Sequence, residues 1–435
     1  MTERLAEVGK LFFKLGAIGF GGPAAHIAMM EDETVNRRQW LTREEFLDLV
    51  GATNLIPGPN STEMAIHVGY IYAGWPGLIV AGVCFVLPAV VLTGILAWAY
   101  LQFGTLPTVA PLLYGIKPAV LAIIIGALWR LGKKALKSRQ LLAIASICLV
   151  AALLGVNEVK ALLTGGLLGM VWLNWTSICL VAALLGVNEV ALLAGGLLGM
   201  VSLNWTKRGG FSAWAIAPLS ALLSQTPYSS GNPITSQPPL VWQLGLFFLK
   251  IGAILFGSGY VLVAFLEGEL VGRYGWLTQQ QLLDAIAIGQ FTPGPVLSTS
   301  TFIGYVIAGW PGAAAATLGI FLPSFLFVLL LNPLIPRLRS SPWTAAFLDS
   351  VNVSAVALMA AVSLKLAGTI LTKQNPETPG LASLGESFGV IVSLIDWPAL
   401  AIAIVAAILA IRFRVGAIWL VLGGALAGLV LSFEF

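Results

Sequence analysis

Apolar runs long enough to span a bilayer recur from one end of this chain to the other. About 20 apolar residues cross a hydrocarbon core as a helix. Spans are predicted near 11–30, 46–73, 78–102, 108–130, 140–156, 191–205, 241–266, 282–308, 312–332, 344–371, 397–411 and 415–433. Only 10% of the residues are charged and 58% are hydrophobic, against about 25% charged in a soluble domain. A water-soluble packing has no polar surface with which to cover so much apolar side chain. The fold class that follows is an all-α polytopic membrane protein.

The runs at 46–73 and 282–308 exceed one crossing, and each is interrupted by Pro-Gly-Pro. Proline removes a rung of the helical ladder and glycine lets the backbone turn. Each run is therefore expected to be two half-helices around an unwound centre.

The two interruptions belong to a wider repeat. Lys14 to Ile18 matches Lys250 to Ile254, 236 positions on. At the same offset Glu31 and Glu33 meet Glu267 and Glu269, Arg37 meets Arg273, and Trp40-Leu41-Thr42 meets Trp276-Leu277-Thr278. Asp48 meets Asp284 and Pro57-Gly58-Pro59 meets Pro293-Gly294-Pro295. After a slip of one residue, Gly74-Trp75-Pro76-Gly77 meets Gly309-Trp310-Pro311-Gly312. The chain is an internal duplication.

Charge sets the expected orientation of the halves. Arg130, Lys133, Lys134, Lys137 and Arg139 follow the fourth span of the first half. In the second half, Arg337 and Arg339 follow the third span, and Arg412 and Arg414 the fifth. Placing all of them in the cytoplasm makes the second half enter from the opposite side. The expectation is an inverted-topology repeat, an architecture of transporters. Residues 1–206 form the first repeat, 207–240 a connector and 241–435 the second repeat. A further local duplication, 146–176 against 177–206, calls for an even number of extra crossings, such as two short helices bent near Asn174-Trp175-Thr176. No cleavable signal peptide is expected at the charged N-terminus. Cys84, Cys148 and Cys179 lie in apolar runs and suggest neither a disulfide framework nor a metal site. The net charge of +4 sits in short loops, with no indication of nucleic-acid binding.

Three constellations carry candidate chemistry. The first is the pair of breaks. Gly58, Asn60, Ser61 and Thr62 in one, and Gly294, Ser298, Thr299 and Ser300 in the other, place backbone N–H groups and hydroxyls at a restarting helix. Such an end attracts anions and could cradle a tetrahedral oxyanion. The alternative is a pair of proline kinks whose Ser and Thr satisfy freed carbonyls. The second is Lys14 and Lys250, charges within apolar spans that could face a divalent anion or could snorkel to an interface. Lys117 in the fourth span has the same two readings. The third is acidic. Glu63 follows the first break by a turn, with His67 on the same face, and the second half has no matching carboxylate. The two could carry a proton, or make a structural hydrogen bond or a pair with Lys14. Glu31, Glu33, Glu267 and Glu269 are expected at helix ends in ion pairs with Arg37 and Arg273, and His26 in packing beside Gly21-Gly22-Pro23.

Phe20-Gly21-Gly22-Pro23, the two Pro-Gly-Pro breaks, the Gly-Tyr-x3-Gly-x-Pro-Gly runs from Gly69 to Gly77 and Gly304 to Gly312, and Pro88 and Pro323 resemble the chromate ion transporter family in its long, two-domain form. The resemblance covers both halves. The second half departs from it at Phe256-Gly257-Ser258-Gly259, where no proline follows the glycines. The resemblance implies export of chromate from the cytoplasm across the plasma membrane, driven by the proton motive force. It implies protons as coupling ions and sulfate as mimic or competitor. No cofactor is implied, and homodimerisation is left open. A sulfate-type oxyanion carrier is the alternative within transport. An intramembrane enzyme is the alternative from another class. It would need a catalytic set near one face, and the chain has two histidines and no metal-ligand motif.

Overall fold

The computed structural model describes residues 2–20, 22–54, 56–104, 106, 109–153, 158–173, 239–256, 259–331, 341–372 and 395–434. One compact unit comprises Met1–Gly169 and Gln237–Phe435. A second, Met170–Ser236, lies almost wholly outside the described residues, as do the second copy of the local duplication, the bend expected at 174–176 and most of the 207–240 connector.

The described residues are helical, with an isolated bridge between Thr372 and Ile395 as their single β contact. The first half contains α1 (Thr2–Ile18), α2 (Pro23–Glu31) with a π-helical extension (Asp32–Arg37), α3 (Arg43–Thr53), α4 (Asn60–Phe103), α5 (Ala110–Ala135), α6 (Arg139–Leu153) and α7 (Glu158–Leu173). The second half contains α8 (Val241–Ile254), α9 (Leu262–Phe265) with a π-helical extension (Leu266–Arg273), α10 (Gln279–Phe291), α11 (Thr299–Leu331), α12 (Pro342–Leu371), α13 (Trp397–Arg412) and α14 (Ala417–Glu434). Four segments are long and apolar enough to cross a membrane: Asn60–Phe103, Ala110–Ala135, Val296–Leu330 and Pro342–Leu371.

The repeat in sequence is a repeat in structure, down to single hydrogen bonds. Trp40 N donates to Thr34 O at 2.8 Å and Trp276 N to Leu270 O at 2.9 Å, closing the same turn after each π-helical stretch. The repeated Trp-Leu-Thr then caps the next helix. Thr42 Oγ1 accepts from Glu45 N at 3.2 Å, and Thr278 Oγ1 from Gln281 N at 3.1 Å. The Glu45 and Gln281 side chains each return a bond to the cap backbone, which satisfies two orphan donors per helix.

The Gly-Tyr-x3-Gly-x-Pro-Gly runs are reversals. Ala73 and Gly74 leave helical geometry, as do Ala308 and Gly309. Thr301 and Thr317 share a hydrogen bond of 2.7 Å. Sixteen residues of straight helix would set them about 24 Å apart, so α11 doubles back at Gly309 (φ +62°). In α4 the arms 60–72 and 75–103 do the same at Gly74 (φ +69°). A Cβ on Gly69 would overlap the carbonyl of Gly77, and one on Gly304 that of Gly312. The glycines permit backbone-to-backbone packing, the usual way apolar helices associate where water supplies no hydrophobic drive. Trp75 and Trp310 stand exposed at the two tips.

One expectation needs revision. The run 11–30 is not one crossing: α1 stops at Ile18 and α2 begins at Pro23. Gly22 takes φ +80° and Pro23 lacks an N–H, so the ladder ends and restarts there. The run 241–266 is divided in the same way between α8 and α9. Each half thus holds two interrupted segments. Around them α5 packs on α14 through Gly115, Gly424 and Gly428, whose backbones touch.

Candidate functional site

The four interruptions meet in two pairs. Gly58 N donates to Leu255 O at 2.7 Å, and Gly294 N donates to Gly19 O at 2.7 Å. Leu255 is the repeat equivalent of Gly19, and Gly294 of Gly58. The same bond is therefore made twice with the halves exchanged, which is the signature of a two-fold relationship. Each Pro-Gly-Pro break reaches across to the break between the first two helices of the other half.

The glycines have little freedom. Gly58 adopts φ +143° and Gly294 φ +94°, a region L side chains avoid. A Cβ on Gly58 would overlap Glu63 Oε1 and Ser324 Oγ; one on Gly294 would crowd Ala89 Cβ. Ala89 is the equivalent of Ser324, and Thr299 of Glu63. The two breaks share a backbone and differ in chemistry. A carboxyl and a hydroxyl line the first where a threonine and an alanine stand at the second.

Around the first break, Ser61, Thr62, Glu63 and His67 are all buried. Thr62 Oγ1, both Glu63 carboxyl oxygens, both His67 ring nitrogens and Ser324 Oγ have no hydrogen-bond partner. Buried polar atoms are ordinarily paired, so this group of exceptions makes the first break a candidate site. Asn60 Nδ2 donates to Asn54 Oδ1 at 2.8 Å, tying the two ends of the break together. At the second break the hydroxyls are occupied. Thr299 Oγ1 donates to Val296 O and Ser300 Oγ to Leu297 O, each at 2.8 Å. Ser298 Oγ accepts from Thr93 Oγ1 of the first half at 3.3 Å. The Thr299 and Ser300 bonds lie within the first turn of the restarting helix, and Thr292 Oγ1 donates at 3.1 Å to Gly289 O, the carbonyl that Pro293 leaves without its helical partner.

The two repeat-matched lysines are paired. Lys14 Nζ lies 2.8 Å from Glu33 Oε1, and Lys250 Nζ lies 2.6 Å from Glu269 Oε1, the same bridge in both halves. Glu33 also meets Arg37 and Arg38 at 3.5 and 3.3 Å. Glu267 meets Lys365 at 3.4 Å, and Glu31 meets Arg43 at 3.7 Å. His26 bonds Gly19 O through Nε2 at 2.9 Å and stands edge-on to Phe85, a packing role at the other break.

Three residues were not legible as site residues. Ser324 and Thr93 are lone hydroxyls in apolar runs, and only the folded contact between halves brings them to the breaks. Asp284 is a repeat marker in sequence, while its equivalent Asp48 is exposed. In the fold Asp284 is buried and accepts from Tyr100 Oη at 2.9 Å, with Lys117 as its electrostatic partner. No cluster of three or more metal-capable side chains occurs among the described residues.

No solved structure matches this chain. A chromate transport protein of Cupriavidus metallidurans is 32% identical over 432 residues, covering 99% of this chain and 94% of that protein. A probable chromate transport protein of Synechococcus elongatus is 31% identical over 360 residues, covering 82% and 83%. A chromate transport protein of Pseudomonas aeruginosa is 31% identical over 373 residues, covering 85% and 83%. The family described as chromate transporter matches residues 6–170 and 242–429, the two halves that the crossed Gly58 and Gly294 bonds hold together. This chain therefore belongs to the chromate transporter family.

Proposed function

We propose that this multi-pass transporter exports chromate from the cytoplasm across the plasma membrane, exchanging it for protons. The observation that carries the reading is the reciprocal bonding of the broken segments. Four interrupted segments that meet in two pairs across the halves supply unwound backbone and helix N-termini where an ion can bind. The choice of chromate rests on the relatives named above.

In this reading the first repeat ends at 206 and the second, from 241, is inverted with respect to it. The anion is drawn by the N–H groups and hydroxyls at Gly58, Asn60, Ser61, Thr62, Gly294, Ser298, Thr299 and Ser300. Lys14 and Lys250 offer positive charge by exchanging a carboxylate for the anion. Glu63, with His67 one turn on, carries the proton. Their lack of hydrogen-bond partners supports this assignment.

The test is transport in proteoliposomes, with labelled chromate and competing sulfate, and with and without a pH gradient. Chromate movement accelerated by the gradient, with sulfate acting only as a competitor that is carried less efficiently, supports the reading. Sulfate movement at equal or higher efficiency favours the sulfate-type carrier. Chemical conversion of the anion without a vectorial gradient favours an enzyme. Impermeant labelling of a cysteine at Ser138 from the cytoplasmic side, and at Ser383 from the outside, tests the orientation.

A further inference from the structure

A cavity of about 270 Å³ opens beside the second break. Gly22, the N-cap of α2, lines one side, and Gln290, Thr292 and Gly294 of the break line another. Arg130, from the last turns of α5, and Arg414, from the turn between α13 and α14, complete it. These arginines come from opposite halves and, among the described residues, are the only charged ones on its wall.

Two arginines on one cavity wall, with no carboxylate among its described lining, concentrate positive charge there. Each is exposed, and neither forms an ion pair among the described residues. Arg414 also holds φ +54°. A bulky L residue rarely adopts that conformation, and such strain persists at sites where its surroundings or its role require it. A glycine would relieve it. Both arginines present rigid forks of donors suited to a tetrahedral oxyanion. The α2 N-terminus adds a positive dipole end. The volume suits such an anion with several waters, since one water needs on the order of 10–15 Å³. The first break differs, because the Glu63 carboxyl, the proposed proton carrier, lies against Gly58 there.

We infer that this chamber is the cytoplasm-facing binding site for a divalent tetrahedral oxyanion, with Arg130 and Arg414 as its charge partners. The cytoplasmic placement rests on the transport reading above; the binding chemistry does not. The break then supplies backbone and the arginines supply charge, with a different charge set from the lysines noted in the sequence.

The test uses the full-length purified protein and reads equilibrium binding of labelled sulfate and labelled chromate, with chloride as a monovalent control. The variants are Arg130→Gln, Arg414→Gly and, at the end of α13 and off the cavity wall, Arg412→Gln. Arg414→Gly removes the charge while easing the backbone, so its thermal stability should hold or rise. Binding of both dianions should weaken about tenfold or more in Arg130→Gln and Arg414→Gly, as expected for loss of a charge-assisted hydrogen bond. It should stay within about twofold in Arg412→Gln, whose charge is solvent-exposed. Dianion binding that is equal in all three variants overturns the site, as does a wild-type protein that binds neither dianion. The same variants in proteoliposomes separate the two readings. Wild-type binding that the arginines control, without vectorial transport, keeps the site and sinks the transport reading. Transport unchanged in Arg130→Gln and Arg414→Gly keeps that reading and sinks the site.

Discussion

The amide of Gly58 donates to the carbonyl of Leu255 at 2.7 Å, across the two halves of the chain. A side chain at Gly58 would meet the Glu63 carboxyl and the Ser324 hydroxyl, and φ +143° is unfavourable to any L residue. Gly58→Ala should therefore destabilise the protein by more than about 1 kcal/mol and abolish transport. At the equivalent break, Gly294→Ala meets chiefly Ala89 Cβ. Adding Ala89→Gly should recover part of the lost stability, because it removes that crowding but leaves the φ penalty. Thermal unfolding in detergent checks both. No recovery in the double variant would place the fault elsewhere.

Lys250 and Glu269 make the second prediction. The Glu269 side chain is only 2% exposed, against 34% for Lys250. Lys250→Gln leaves a buried carboxylate with its charge uncompensated, which should cost about 1–3 kcal/mol. Lys137→Gln breaks an exposed bridge to Asp349 and should cost under about 1 kcal/mol. If the pair is purely structural, Lys250→Gln with Glu269→Gln regains both stability and transport. If Lys250 also faces the anion, stability returns while transport stays impaired. Melting temperature and initial transport rate, read on the same preparations, separate the two.

The two-half plan was legible because duplication leaves paired motifs, and each pair does the same local work. Trp-Leu-Thr closes a π-helical stretch and caps a helix, and the glycine-rich runs make helical reversals. The break at Gly19 to Gly22 was less legible. Its flanks are apolar on both sides, so hydropathy reads one continuous span, and only the conformation of Gly22 and the missing N–H of Pro23 divide it. The lysine–glutamate bridges were missed for a different reason. Lys14 and Glu33 are separated by the interruption, and their spacing matches no helical face. Contacts between halves, such as Thr93 with Ser298 or Ser324 beside Gly58, have no sequence signal, because pairing across a two-fold is set by packing and not by spacing.

Tyr100 and Asp284 offer a third prediction. The hydroxyl is 2.9 Å from Oδ2, and Asp284 is buried between the halves with Lys117 as its electrostatic partner. Tyr100→Phe removes one donor to a buried acceptor and should cost about 1–3 kcal/mol. Asp284→Asn together with Lys117→Gln, which removes both charges, should be milder than either single change, because neither charge is left alone. A double-mutant cycle on melting temperature measures the coupling, and simple additivity would show that Lys117 and Asp284 do not act as a pair.

The last prediction concerns Glu63. Its carboxyl is fully buried, has no hydrogen-bond partner and lies against the backbone of the first break. The corresponding residue in the second half is Thr299, which cannot carry a proton at neutral pH. A transporter that exchanges an anion for a proton needs one group whose proton leaves and returns as the anion moves, and Glu63 is the group proposed for it. Glu63→Gln fixes the site in a neutral, amide form. Chromate binding should then persist or strengthen, since one repelling charge is gone, while an imposed pH gradient should no longer accelerate transport. A structural Glu63 predicts the reverse: Glu63→Gln would lower the yield of folded protein, and what remains would respond fully to the gradient. His67→Gln completes the comparison. It lies one turn on, equally buried, with both nitrogens unpartnered. If the gradient response survives in Glu63→Gln and is lost in His67→Gln, the proton moves through the imidazole and the carboxyl only shapes the break.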